Sequence, residues 1–177
     1  MNTVALHEET SSRVKKTPEI LLVSTGGTID KTYFDKLSLY EVGEAAINKI
    51  LAKLPNTEAM NYVELCRKDS LEINDNDRQA LLELINSRPE KKVLVTHGTD
   101  SMAETARYLA LRTDKLVVLC GAFLPAAFTD SDADLNVGSA LAALSLLQSG
   151  VYIAMHGKVL AAETAKKNYQ SRSFEAI

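Results

Sequence analysis

The sequence contains no tryptophan, only two cysteines, three histidines and four prolines, and lacks any surplus of basic charge across its 177 residues. Each scarcity removes a class of function. Cys66 and Cys120 stand in or beside apolar runs and are too few for a disulfide scaffold, so they read as two buried free thiols of a reducing compartment. His7, His97 and His156 are scattered without the paired spacing of a metal site, so neither metal nor cofactor is expected. Twenty lysines and arginines against 23 aspartates and glutamates leave a formal net charge of -3, which offers nothing to neutralise phosphates and argues against a nucleic-acid partner. No apolar stretch approaches the ~20 residues of a membrane helix. The N-terminal MNTVALHEETSSRVKK has no apolar core of an export signal. A cytoplasmic location and a disordered tail over residues 1–17 are therefore expected.

What is present is an ordinary globular composition, 46% hydrophobic and 24% charged. Short runs rich in Val, Ile and Leu predict strands at Ile20 to Ser24, Met60 to Cys66, Lys92 to Thr96, Leu116 to Cys120 and Val151 to Met155. Their lack of polar alternation suits strands covered on both faces. Helical periodicity fills the gaps at 41–54, 75–87, 101–112 and 133–148. Asn74 or Asp75 could cap the second of these, and Ser101 with Glu104 fits a capping box at the third. Strand and helix alternate, with no linker or repeat, so residues 18–177 are expected to form one α/β domain with a mainly parallel sheet flanked by helices.

In such sheets ligands sit beyond the carboxyl ends of the strands. Four polar clusters fall there. Thr25-Gly-Gly-Thr-Ile-Asp30 follows the first strand, and its glycines would let a ligand approach the backbone, although the Gly-Lys-Ser/Thr ending of a phosphate loop is missing. Asp69-Ser70-Leu-Glu-Ile-Asn-Asp75 follows the second, and taken alone it is a polar loop leading to a helix cap. Thr96-His-Gly-Thr-Asp-Ser-Met102 follows the third, where Asp100 and Ser101 also read as helix caps. Ala165-Lys-Lys-Asn168 lies near the end of the sequence; a lysine pair is usually solvated surface.

The ordered pair T-G-G-T-I (25–29) and T-H-G-T-D-S-M (96–102) resembles the L-asparaginase family of threonine amidohydrolases. The resemblance continues through Asp69-Ser70, Gly121-Ala122, Ser131 to Asn136, Val151 to Met155, and Lys166 with Asn168. It implies a Rossmann-like or flavodoxin-like domain and hydrolysis of L-asparagine to aspartate and ammonia through an acyl-enzyme on Thr28. By the same resemblance Thr99, Asp100 and Lys166 form the assisting set, and Ser70 holds the substrate carboxylate. Asp100 takes the α-ammonium, and the loop backbone at Gly27 and Gly98 lines the substrate. A helper tyrosine is expected, with Tyr33 matching one branch of the family and Tyr40 another. Those residue types suit the chemistry: an amide is a poor electrophile and a threonine hydroxyl a weak nucleophile, so a base and oxyanion donors are both needed.

Three departures accompany the match. Long members carry a second, smaller domain, which would begin where this sequence stops, at Ile177; a short single-domain type is expected. Leu71 stands where a glutamine often aids carboxylate binding, and His156 where an asparagine often follows Tyr-Ile-Ala-Met. An amidotransferase component that releases ammonia to a partner, or a weakly active amino-acid sensor, are the alternatives. The resemblance also implies a homodimer or homotetramer. Asparagine and glutamine differ by one methylene, worth about 1–3 kcal/mol of discrimination, so weak glutaminase activity is expected as well.

Overall fold

A computed structural model describes residues 18–34, 39–55 and 60–177; the tail expected over 1–17 lies outside the described residues. The central sheet contains β1 (Ile20–Gly26), β4 (Met60–Lys68), β5 (Lys92–Thr96), β6 (Leu116–Cys120), β7 (Gly150–Met155) and β8 (Lys158–Ala161). They lie in the spatial order β4-β1-β5-β6-β7-β8, with every pair parallel except the closing β7–β8 hairpin.

Parity along the strands decides which side chains meet. Leu21 and Val23 of β1, Val93 and Val95 of β5, Val117 and Leu119 of β6 and Ile153 of β7 point to one face. There they pack under α2 (Asp75–Ser87) and α3 (Met102–Ala110) through Leu81, Ile85, Met102 and Leu109. The intervening Leu22, Leu94, Val118 and Ala154 face α1 (Ile47–Leu51) and α4 (Ala133–Leu146) on the other side. Burial on both faces accounts for the unbroken apolar runs, and each fully buried Leu, Ile or Val stabilises the fold by roughly 1.5–3 kcal/mol. β4 departs from that expectation. As an edge strand it leaves Tyr62, Glu64 and Arg67 exposed, with the inward residues only half-buried.

The helix expected over 41–54 is largely replaced. Leu39–Val42 forms β3, antiparallel to β2 (Lys31–Phe34), and helix remains only at Ile47–Leu51. The Gly43 N–H donates to the Asp30 carbonyl at 2.8 Å, and the Ala46 N–H donates to Asp30 Oδ1 at 2.7 Å, so residues 43–46 are spent anchoring the hairpin. At α2 the cap is Asn74. Its side chain accepts from the N–H groups of Asn76 and Asp77, and Asp77 answers by accepting from the Asn74 N–H. The box expected at Ser101 does not form, because the Ser101 hydroxyl donates instead to the Ser70 carbonyl. Beyond the sheet, β9 (Ala165–Asn168) and β10 (Ser173–Ala176) make a short hairpin.

Both cysteines are free. Cys120 is buried and its thiol is pushed up to about 12 by desolvation, whereas Cys66 is only half-buried, less covered than expected.

Candidate functional site

The strand order reverses direction at β1: the next central strand, β4, lies on one side of it and β5 on the other. The crevice at the carboxyl ends of these three strands is where ligands of such sheets bind. The sequence delivers the loops 25–30, 69–72 and 96–101 to that crevice.

The first loop is shaped by two glycines in the left-handed region, Gly26 at φ 97° and Gly27 at φ 92°. The second of them is held against the third strand's loop. A Cβ on Gly27 would lie 2.4 Å from both Cα and N of Gly98, and a Cβ on Gly98 would lie 2.5 Å from the Cβ of Ser70. The first and third loops therefore meet backbone to backbone, with the Ser70 side chain against Gly98 and with Thr28 and Thr99 each one residue beyond the contact. Thr25 has a different task from Thr28. It is buried, and its hydroxyl donates to the Thr96 carbonyl at 3.0 Å, tying β1 to β5. Thr28 opens a single 3-10 turn, Thr28–Asp30, and its hydroxyl makes no hydrogen bond to a described residue.

The third loop, across the Gly27–Gly98 contact, carries a bonded set. Lys167 Nζ donates to Thr99 Oγ1 at 2.8 Å and to Asp100 Oδ1 at 2.7 Å. The Asp100 N–H donates to Ser70 Oγ at 3.2 Å. Ser70 is itself buried at the first residue of a 3-10 turn, Ser70–Glu72, capped by Asp69. Lys31 crosses from the first loop to Asp69 at 2.7 Å and holds that carboxyl below its usual range.

The lysine bonded into this set is not the one expected from the sequence. The expected residue, Lys166, lies on the outer face of β9 and is exposed; Lys167 points inward. Strand alternation explains the exchange: Ala165, fully buried, shares its face with Lys167, whose cross-strand partner is the buried Phe174. That two-residue period was the available signal, and a four-residue strand between turns gave it too little length to register. Lys167 lies 5.0 Å from the centre of the Phe123 ring and 4.9 Å from that of Tyr169, neither of which the sequence singled out.

His97 is fully buried and serves the loop. The Arg78 Nε–H donates to Thr105 Oγ1 at 3.2 Å, and Thr105 meets His97 Nε2 at 3.0 Å. His97 Nδ1 faces the Gly98 carbonyl at 2.8 Å, an atom that can only accept. Nδ1 therefore carries the hydrogen, the imidazole is neutral, and burial pushes it down to about 4. The ring fixes the peptide that precedes Thr99.

The two candidate tyrosines face one another across the β2–β3 hairpin, directly paired, with ring centres 5.8 Å apart and edge to face. Tyr40 also packs edge to face on Phe128 at 5.7 Å. Both are about half exposed. Asp30, which anchors this hairpin, is 2% exposed, and burial lifts its carboxyl to about 7. It also lines a cavity of about 240 Å³ between α1 and the Ala126–Ala127 segment. Among the described residues no group of three or more His, Cys, Asp or Glu side chains could hold a metal, and no helix is long and apolar enough to cross a membrane.

Comparison with known proteins identifies the family and the fold. The family model of the asparaginase N-terminal domain matches residues 19–177. L-asparaginase 2 of Escherichia coli is 31% identical over 154 residues, which are 81% of this chain and 44% of that protein. A glutaminase-asparaginase of Acinetobacter glutaminasificans is 30% identical over 162 residues, covering 84% and 49% respectively. The thermostable L-asparaginase from Thermococcus kodakarensis superposes with a TM-score of 0.79 at 24% identity, over 89% of this chain and 51% of its own, a likeness of fold. The chain thus spans about half the length of the curated relatives it matches.

Proposed function

Because the chain belongs to the asparaginase family, as its N-terminal domain, we propose that it hydrolyses L-asparagine to aspartate and ammonia with Thr28 as nucleophile. The observation that carries this reading is the Lys167–Thr99–Asp100 set, held across the Gly27–Gly98 contact from the loop of a threonine whose hydroxyl bonds to no described residue. Thr28 Oγ attacks the side-chain carboxamide. Thr99 Oγ1 receives the proton of Thr28 and passes its own to the departing nitrogen, which leaves as ammonia. The Lys167 ammonium, donating to Thr99, keeps that hydroxyl's hydrogen free for the transfer. Loop N–H groups beside Thr28 and Thr99 stabilise the oxyanion, a contribution of about 2.7–4 kcal/mol per donor. Water then follows the same proton path to cleave the acyl-threonine ester.

Asp100 and Ser70 are proposed to hold the amino-acid end of the substrate. The Asp100 carboxylate pairs with the α-ammonium, while the Ser70 hydroxyl and the N–H groups at Gly27 and Gly98 take the α-carboxylate. One of Tyr33 and Tyr40 closes over the threonine from the hairpin. A glutaminase side activity fits the second relative's name and the small energy of one methylene. Leu71, 78% exposed, makes no polar contribution to carboxylate binding. A reducing compartment suits the two free thiols, and a homodimer or homotetramer is the proposed assembly, supported by Leu135 and Leu146 standing out of α4 at 58% and 82% exposure. Light scattering reads the assembly directly.

The experiment is ammonia release from asparagine and from glutamine by the parent, Thr28→Ala and Thr99→Ala. The expected result is hydrolysis by the parent, with both variants reduced by about two to four orders of magnitude. Comparable rates in all three overturn the mechanism.

A further inference from the structure

We propose that His156 is a positioning residue for the Lys167 ammonium, acting through the ring of Phe123; this rests on the hydrolase reading only for its kinetic consequence. His156 and Gly157 form the two-residue turn between β7 and β8, with φ 52° and 74°, and Met155 pairs with Lys158 across it. This is the left-handed pair that a tight hairpin favours, and asparagine and histidine are among the few side chains that enter it readily. The backbone alone would accept asparagine, so the imidazole needs its own explanation.

The side chain turns back toward the site. Its Nε2 meets Asp132 Oδ2 at 2.9 Å, and its ring stacks on Phe123 with centres 5.1 Å apart and planes 29° from parallel. Both partners are fixed. Burial would raise the Asp132 carboxyl, but the combined N–H groups of Phe123 and Leu124, with His156 and Asn136, hold it below its usual range. Asn136 donates to the same oxygen at 2.8 Å and to the Gly121 carbonyl at 2.9 Å, and its own oxygen accepts the His156 N–H at 2.7 Å. Asp132 therefore binds both ends of the Phe123 contact: the Phe123 backbone at 2.9 Å and the imidazole that lies on the Phe123 ring.

That ring is what Lys167 meets. Its Nζ lies 5.0 Å from the Phe123 centre while donating to Thr99 and Asp100, and the Arg172 guanidinium is 5.7 Å from the same ring. A ring face attracts a cation by its quadrupole, and the attraction depends on where the ring stands. An aromatic neighbour locked by a carboxylate restrains the ring in a way a shorter asparagine would not. The coupling thus runs Asp132, His156, Phe123, Lys167, Thr99, one contact at a time.

The test uses the whole chain and two readouts. The first is the NMR shift of the Lys167 ε-methylene in selectively labelled protein, which reports ring current and needs no turnover. Phe123→Leu should move that signal downfield, His156→Asn should move it in the same direction by less, and Phe123→Tyr should keep it near the parent position. The second is a double-mutant cycle on kcat/KM. His156→Asn should lower it about threefold to tenfold in the parent and leave it unchanged in the Phe123→Leu background. An unmoved Lys167 signal in His156→Asn overturns the proposal, as does the same loss in both backgrounds. A moved signal in a protein without hydrolytic activity overturns the hydrolase reading and supports the positioning role.

Discussion

Gly27 and Gly98 touch through their backbones: a methyl on the first would stand 2.4 Å from the Cα of the second. The Thr28 loop and the Thr99 loop are held together by the absence of side chains at these two positions.

Gly27→Ala should therefore destabilise the protein by about 2–4 kcal/mol and reduce ammonia release beyond the loss of folded protein, since the loops must part and φ 92° is strained for alanine. Gly138 supplies the opposite sign. It lies within α4 with nothing within 4 Å of an added Cβ, so Gly138→Ala should raise stability by about 0.5–1 kcal/mol. Thermal melts of the two variants check both directions.

The two threonines of the first motif should separate cleanly. Thr25→Val breaks the buried bond to the Thr96 carbonyl and should cost about 1 kcal/mol of stability with a partial loss of rate. Thr28→Val should abolish ammonia release while shifting stability by less than about 0.5 kcal/mol, because its hydroxyl bonds to no described residue. A melt and an ammonia assay on each variant decide it.

Lys167→Met should lower kcat/KM about a hundredfold or more, and Lys166→Met should leave it within about twofold of the parent. The reverse outcome would restore the lysine expected from the sequence.

Two buried groups give the stability an unusual pH dependence. The Asp30 carboxyl is raised from 3.8 to about 7 in the fold, so the folded protein binds the extra proton between these values and loses stability as pH rises through that window. His97 is lowered from 6.5 to about 4, so there the unfolded chain binds the extra proton and stability is lost as pH falls from 6.5 to 4. Between about pH 4 and 6.5 the two slopes oppose each other, each about 1.4 kcal/mol per pH unit. The parent melting temperature should be comparatively flat there. Asp30→Asn, which keeps an acceptor for the Ala46 N–H, should unmask His97 and show a melting temperature that climbs from pH 4 to 6.5. Parallel profiles for parent and variant would remove Asp30 from the account.

The central strands and three of the four main helices stood where the apolar periodicity placed them, because burial on both faces writes continuous runs and each helix is long enough to show its period. The β2–β3 hairpin escaped notice because Val42, Ala46, Ile50 and Leu54 imitate a helical face; the bonds from Gly43 and Ala46 to Asp30 that override it are tertiary. Motif and strand ends singled out Ser70, Thr99 and Asp100, and the structure brings them together, bonding Asp100 to Ser70 and Lys167 to both Thr99 and Asp100. The inward side of Lys167 was not legible, since adjacent lysines are distinguished only by which face of a short strand the buried Ala165 selects. His156 and Phe123 carry no signature in one dimension, because their meeting depends on how the turn after β7 folds back over the segment after β6.

The ammonium that reaches Thr99 arrives on β9, after the sheet has already been completed by the reversal at β8. Turnover in this chain should consequently be the last property to appear during refolding, lagging the recovery of secondary structure, and the first to vanish when the β9–β10 hairpin frays. An assay of ammonia would then time the docking of one small ribbon.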